Sequence, residues 1–185
     1  MATAPAVRRP PPDDGTPRLK RSAWSGVLIG IATAAFVDET VFHQLLHWHH
    51  FYDRSTPGVG LVSDGLFHAF GWFALVIGLV LVADLRRRDA LCGRGLAGGI
   101  LLGAGFFQLY DGTLQHKLLK LHQIRYHVDL VGYDWTWNVL AVLLLIAGAL
   151  LMRSAARRLR TAGPLTEKAA ETGTGTATGT GGESR

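Results

Sequence analysis

Two stretches of this sequence repeat each other. Residues 26–49 read GVLIGIATAAFVDETVFHQLLHWH, and residues 99–122 read GILLGAGFFQLYDGTLQHKLLKLH. At this offset of 73 residues, nine of the 24 positions are identical. Leucine and glycine matches are common among apolar helices, but an aspartate, a threonine and two histidines in register are not, so we predict an internal duplication. The identical pairs are Gly26/Gly99, Leu28/Leu101, Gly30/Gly103, Asp38/Asp111, Thr40/Thr113, His43/His116, Leu45/Leu118, Leu46/Leu119 and His49/His122.

The composition around the repeats is that of a membrane protein. The chain is 48% hydrophobic and only 18% charged, which excludes a disordered or collagen-like chain. Spanning a bilayer takes about 20 predominantly apolar helical residues. The sequence therefore predicts an all-α fold, a four-transmembrane-helix bundle built from two parallel helical-hairpin repeats. The predicted spans are Trp24–His47, Gly65–Asp84, Gly95–His116 and Trp135–Met152.

The predicted domain organisation is a membrane domain with a tail at each end. The membrane domain covers 23–153, with repeat one at about 24–84 and repeat two at about 95–152. Residues 1–22 are rich in proline and arginine, and 154–185 are first basic and then rich in threonine and glycine. Such segments cannot bury enough apolar area to fold, so we expect both tails to be disordered.

The basic residues predict the orientation in the membrane. Of the 19 lysines and arginines, all but four lie in the tails or in the connection between spans two and three. By the positive-inside rule both termini are cytoplasmic, and we expect a multi-pass protein of the inner (plasma) membrane. The net charge of +5 comes from these flanking clusters, so it does not indicate a nucleic-acid partner. The four exceptions are Arg54, Lys117, Lys120 and Arg125.

Ionisable residues gather at one end of the predicted bundle. All eight histidines lie between His43 and His127, towards the outer ends of the helices. Each charged group at membrane depth costs about 2.5–3.5 kcal/mol on insertion scales, so these residues need a reason to be there. From the rise of the helices we expect four pairs at matching depth across the hairpins. They are His43 with Asp64, Asp38 with His68, His116 with Asp134, and Asp111 with Asn138.

Helical rotation sets a limit on this site. Asp38 and His43 are five residues apart, which is about 140° on an α-helix of 3.6 residues per turn. We therefore expect that the two side chains cannot point at one centre. Which helix face points at the bundle axis is left open by the pattern.

Imidazole and carboxylate groups are ligands that suit Zn, Fe or Cu(II), whereas a soft Cu(I) site would need sulfur. The only cysteine is Cys92, in the predicted cytoplasmic connection. Two histidines at equivalent positions, His43 and His116, could also hold a haem. No catalytic constellation is evident, and we favour a protein that is not an enzyme. The candidate metal ligands are His43, His68, His116, Asp38, Asp64, Asp111 and Asp134.

The motifs also carry a family resemblance. Residues 38–50 fit the pattern D-x-x-x-F-H-Q-x-L-x-W-H-H, and they are followed by Asp64-Gly-Leu-Phe-His68 and Asp111-Gly-Thr-Leu-Gln-His116. Together these motifs resemble an uncharacterised family of small four-helix bacterial integral membrane proteins, a domain of unknown function. The resemblance covers roughly residues 24–152. It implies an integral membrane protein and brings no activity, cofactor or catalytic residue.

Three functions remain open on the sequence alone. The first is binding of a metal ion or haem at the polar site, in metal handling or in the assembly of a respiratory complex. The second is a small proton- or ion-coupled transporter, and the third is a structural or accessory membrane subunit without a cofactor. The expected partners are the lipid bilayer and either further copies of the chain or other membrane subunits.

Overall fold

All regular structure in the described part of the chain is helical. A computed structural model describes residues 15–173, with side chains described through residue 161. The helices are α1 (Thr16–Asp38), α2 (Pro57–Arg87), α3 (Gly93–Tyr110) and α4 (Val131–Gly173). Two wider π-helical segments extend the first and third helices, and we call them π1 (Glu39–Leu45) and π2 (Asp111–Leu118).

The first and last helices of the chain are longer than the sequence indicated. Helix α1 begins at Thr16, inside the stretch expected to be a tail, because a proline at its first turn is compatible with helix initiation. Helix α4 continues to Gly173 through alanine and arginine residues that favour helix. Residues 1–14 and 174–185, the remainder of the two predicted tails, lie outside the described residues.

Three of the helices are long and apolar enough to cross a membrane. They are α1 together with π1 (Thr16–Leu45), α2 (Pro57–Arg87) and the Val131–Thr161 part of α4. Their outward faces carry large apolar side chains, such as Trp72, 55% exposed, and Phe73, 62% exposed. Exposure of this kind is typical of a surface that faces lipid.

Helix α3 is the fourth helix and has a different character. It is only 18 residues long and rich in glycine, and its π2 extension carries Asp111, Gln115 and His116. The predicted third span, Gly95–His116, is not among the three apolar helices. Helices α1 and α3 form the central pair, with α2 packed on α1 and α4 packed on α3.

Glycines bring the central pair into backbone contact. A Cβ atom built on Gly30 would lie 2.1 Å from the carbonyl oxygen of Ile100, and one on Gly103 would lie 2.2 Å from that of Val27. Gly26 and Gly99 make the same kind of contact one turn away. Small residues at this spacing are the usual means by which membrane helices approach each other closely.

The first prediction concerns this contact. We expect Gly30→Ala to destabilise the protein by at least about 2 kcal/mol, because the new Cβ would overlap the backbone of α3. The measurement is the free energy of unfolding in detergent. Gly65→Ala on α2 is the matched control, since a Cβ there meets nothing within 4 Å and alanine favours helix. Equal stability of the two variants would contradict the close contact.

Candidate functional site

The site is built on the two π-helical segments. In π1 the amide of Leu46 donates to the carbonyl of Val41 at 2.9 Å, and at the end of π2 the amide of Leu119 donates to Leu114 at 2.8 Å. These are i→i+5 hydrogen bonds, which widen the helix and are frequent at functional sites. In such a turn, residues five apart come to lie on the same face.

This geometry corrects an expectation from the sequence. Asp38 and His43 do point at one centre, because the carboxylate of Asp38 lies 3.6 Å from Nε2 of His43. The aligned pair is closer, with Asp111 at 3.1 Å from Nε2 of His116. The 140° separation assumed an α-helix, and the π-helical turn removes it.

Two further histidines enter the site from the loops that follow π1 and π2. Nδ1 of His49 donates to the carbonyl of Ile124 at 3.0 Å, and Nδ1 of His122 donates to the carbonyl of Phe51 at 2.9 Å. Because a carbonyl can only accept, both rings carry the hydrogen on Nδ1 and leave the Nε2 lone pair free. The two rings stack with centroids 4.5 Å apart and an interplanar angle of 3°.

These side chains form what we call the central cluster, which consists of Asp38, His43, His49, Asp111, His116 and His122. All six are buried, with relative exposures between 1% and 4%. Potential metal-ligand atoms of Asp38, His43 and His49 lie within 4.8 Å of one another. The same is true of His49, His116 and His122. We call Asp38, His43 and His49 the first half of the central cluster, and Asp111, His116 and His122 the second half. In the second half, the carboxylate of Asp111 lies 3.5 Å from Nε2 of His122.

Most of the polar atoms at the centre have no hydrogen-bond partner. This holds for one carboxylate oxygen of each aspartate and for Nε2 of each of the four histidines. Buried polar groups are normally hydrogen-bonded, and leaving one unpaired costs about 1–3 kcal/mol. This site is therefore marked by many buried nitrogen and oxygen atoms that lie close together without hydrogen-bond partners.

A second group, the side cluster, adjoins the first half only and consists of Glu39, His43, His50 and Asp64. Nδ1 of His43 lies 2.9 Å from the carboxylate of Glu39 and 3.1 Å from that of Asp64. Asp64 also accepts from Nδ1 of the half-buried His50 at 2.5 Å and from the backbone amide of Phe51 at 2.7 Å. Asp64 thus holds the His43 ring and the loop after π1 in place.

Of the predicted pairs across the hairpins, one is formed and two are not, and Asn138 of the fourth donates to the backbone carbonyl of Asp134. His43 approaches Asp64, as expected. His68 does not approach Asp38: it is exposed and its ring lies 5.7 Å from that of Phe36, because the inward position on this turn of α2 is taken by Phe67.

The second mismatch is at Asp134. Among the described residues its carboxylate pairs with Lys117 and not with His116. The prediction was wrong because it overlooked Lys117, a nearby cation with a longer reach than His116. His68 and Asp134 therefore lie apart from the central cluster.

Sequence reasoning did not select His49 and His122 as site residues. The two residues form one of the nine identical pairs between the repeats, and this identity is the sequence signal that points to them. Both residues follow predicted helices, where a histidine is more often a loop residue, so the pattern alone does not mark them as ligands. Their place in the site depends on hydrogen bonds to loop carbonyls that a sequence does not reveal.

The fold and the site define a helical membrane protein with a buried cluster of histidines and carboxylates. Residues 25–155 match the family model described as "Predicted membrane protein (DUF2243)", and the chain belongs to that family. None of the curated proteins and none of the solved structures compared with the chain gives a significant match. Function therefore has to be argued from the site itself.

The second prediction concerns the protonation of His49, which lies outside the spanning segments. Burial lowers the pKa of His49 to about 2, and the neighbouring His122 and His43 rings act in the same direction. In metal-free protein we expect its ring to stay neutral, with the hydrogen on Nδ1, as the pH falls from 8 to 5. Nitrogen-15 NMR of the imidazole measures this directly. An imidazolium signal at pH 5, or a hydrogen on Nε2, would contradict the assigned hydrogen bond.

Proposed function

We propose that this protein binds transition-metal ions within the membrane, one ion in each half of the central cluster. Asp38, His43 and His49 would hold the first ion. The aligned residues Asp111, His116 and His122 would hold the second. The observation that carries this proposal is the convergence of four buried imidazole nitrogens and one oxygen of each of two buried carboxylates, none of which has a hydrogen-bond partner.

The surroundings of the ligands support this assignment. Metal-binding histidines usually donate their other ring hydrogen to a carboxylate or a backbone carbonyl, which fixes the ring for coordination. Three of the four rings have such a partner: His43 faces Glu39 and Asp64, and His49 and His122 each donate to a carbonyl. Ordinary packing gives no reason for this common orientation of the rings.

The choice of ion follows from the ligands. Two histidines and one carboxylate in each half suit Fe(II), Zn or Cu(II), whereas Cu(I) prefers sulfur. Haem is disfavoured by the packing, because the ring centroids of His43 and His116 lie only 4.5 Å and 6.2 Å from that of His49. A porphyrin is too wide to enter between side chains held this closely.

A transporter is supported less well. Below the cluster the backbones of α1 and α3 are in contact at Gly26, Gly30, Gly99 and Gly103. This contact disfavours an ion path between the two central helices towards the other end of the bundle. Binding and retention of a metal fit the geometry better than conduction, and metal handling or the assembly of a respiratory complex is the corresponding role.

The arrangement in the membrane is part of the proposal. Contacts recur at the offset of 73 residues: His49 to Ile124 corresponds to His122 to Phe51, and the contact of Gly30 with Ile100 corresponds to that of Gly103 with Val27. They support two parallel hairpins related by a pseudo-two-fold axis along the membrane normal. Helix α3 with π2 would be the fourth span, buried between its neighbours, and so would not need a fully apolar surface. Both termini would be cytoplasmic and the cluster would lie in the outer half of the inner membrane.

The third prediction is the metal content. Protein purified in mild detergent, or loaded with Fe(II) or Zn, should hold about two ions per chain by elemental mass spectrometry. The variant His116→Ala should lose about one of them. This change removes one proposed ligand of the second ion, whose Nε2 lies 3.1 Å from the carboxylate of Asp111.

The matched control is His68→Ala, which removes an exposed histidine outside the cluster and should leave the metal content unchanged. Wild-type protein that is free of metal and takes up none of Zn, Fe or Cu would overturn the proposal. That result would leave the accessory subunit as the better description.

The fourth prediction tests the orientation. In a Cys92→Ser background we introduce one thiol at a time, by Arg54→Cys in the loop after π1 and by Asp89→Cys in the connection between α2 and α3. Both positions are exposed. A membrane-impermeant maleimide added to intact spheroplasts should label only the first, and the second should react after permeabilisation. The opposite pattern would place the cluster on the cytoplasmic side.

A further inference from the structure

A cavity of about 500 Å³ lies beside the central cluster, between α1, α2 and α3. Its volume is within the range of small-molecule binding sites, which is about 300–1,000 Å³. The inner wall is aromatic: Phe51 stacks on Phe67 with centroids 4.7 Å apart, and Phe67 stacks on Phe107 at 5.8 Å. This column of stacked rings gives the cavity an apolar wall against which a further aromatic ring can pack.

A fully buried amide also lines the cavity. Gln115 of π2 lines the cavity and is only 1% exposed. Neither the oxygen nor the nitrogen of its amide has a hydrogen-bond partner. An amide that is buried beside an empty apolar space and left unpaired on both atoms calls for a ligand that donates one hydrogen bond and accepts another.

The mouth of the cavity faces the region of lipid. It is formed by Leu66, Phe70 and Phe106, whose exposed fractions are 70%, 55% and 58%. All three lie on apolar outward faces of α2 and α3. An occupant would therefore enter sideways from the bilayer and would leave an apolar tail between these side chains.

The aligned position in the other half of the molecule is closed. Phe42 aligns with Gln115 at the offset of 73 residues. Its ring packs on Trp48 at 5.1 Å and on Trp137 at 5.4 Å.

We propose that this cavity binds a lipid-soluble hydroquinone, a dihydroxylated aromatic ring that carries an apolar tail. The ring packs against the aromatic wall that Phe51 and Phe67 form, one hydroxyl donates to the amide oxygen of Gln115 and accepts from its nitrogen, and the tail leaves past Leu66. A phospholipid acyl chain would fill the apolar space but would leave the amide unpaired. The proposal rests on the cavity and not on bound metal.

The test compares three probes without oxygen present: a decyl-substituted hydroquinone, its dimethyl ether, and decylbenzene. Binding to the full-length detergent-solubilised protein is measured by titration calorimetry. We expect the hydroquinone to bind with one site per chain and about tenfold more tightly than the dimethyl ether, which cannot donate a hydrogen bond. Equal affinity for all three probes would overturn the proposal and identify an unspecific cleft for acyl chains.

Two pairs of variants distinguish the effect of losing the Gln115 amide from the effect of a damaged fold. Gln115→Leu should abolish the preference for the hydroquinone, while Gln108→Leu on α3, which does not line the cavity, should keep it. Because Gln115 is buried, a second variant is made at the exposed mouth: Leu66→Trp should weaken all three probes about tenfold, and Leu79→Trp on the same helix should not. An unchanged preference in Gln115→Leu, or unchanged affinities in Leu66→Trp, would refute the site.

Metal content is measured on the same samples. Hydroquinone binding to a protein without metal would leave this proposal standing and remove the proposed function. Metal without hydroquinone binding would do the reverse.

Discussion

Two π-helical turns at the ends of α1 and α3 bring the carboxylates of this protein onto the same face as its imidazoles. Within each turn the residue five positions after the aspartate is the histidine, as in Asp38 with His43 and Asp111 with His116. On an α-helix these pairs would diverge, and one member of each would have to be buried against apolar side chains or exposed to lipid. Everything else in the site depends on this widening, because the loops that follow the two turns deliver His49 and His122 to the same centre.

The two halves of the molecule agree at the centre and differ at the edges. The first half adds Glu39 and Asp64 behind His43, whereas the second half has Gly112 at the position aligned with Glu39. A Cβ atom on Gly112 would lie 2.6 Å from the ring of Trp137, so the second half has no room for a glutamate there. At the position aligned with Phe42 the second half has Gln115, which lines the cavity between α1, α2 and α3.

The sequence predicts the helices and much of the cluster, for physical reasons that can be named. Apolar length and the distribution of arginine indicate membrane helices, and the repeat selects Asp38, His43, Asp111 and His116. The sequence does not predict the π-helical turns, since an i→i+5 hydrogen bond has no simple residue pattern. His68 was misplaced for a related reason, because a depth estimate gives the level of a side chain but not the direction in which it points. The loop histidines depend on long-range contacts with carbonyl groups, and these carry no side-chain signature.

The central claim is that the unpaired imidazole nitrogens coordinate metal ions, and X-ray absorption spectroscopy of the metal-loaded protein tests it most directly. The account predicts a first shell of nitrogen and oxygen only, with about two imidazoles per ion and no sulfur. It also predicts that the imidazole contribution falls in the His116→Ala variant and is unchanged in His68→Ala. A first shell that contains sulfur, or a spectrum of metal bound only by water and carboxylate, would contradict it.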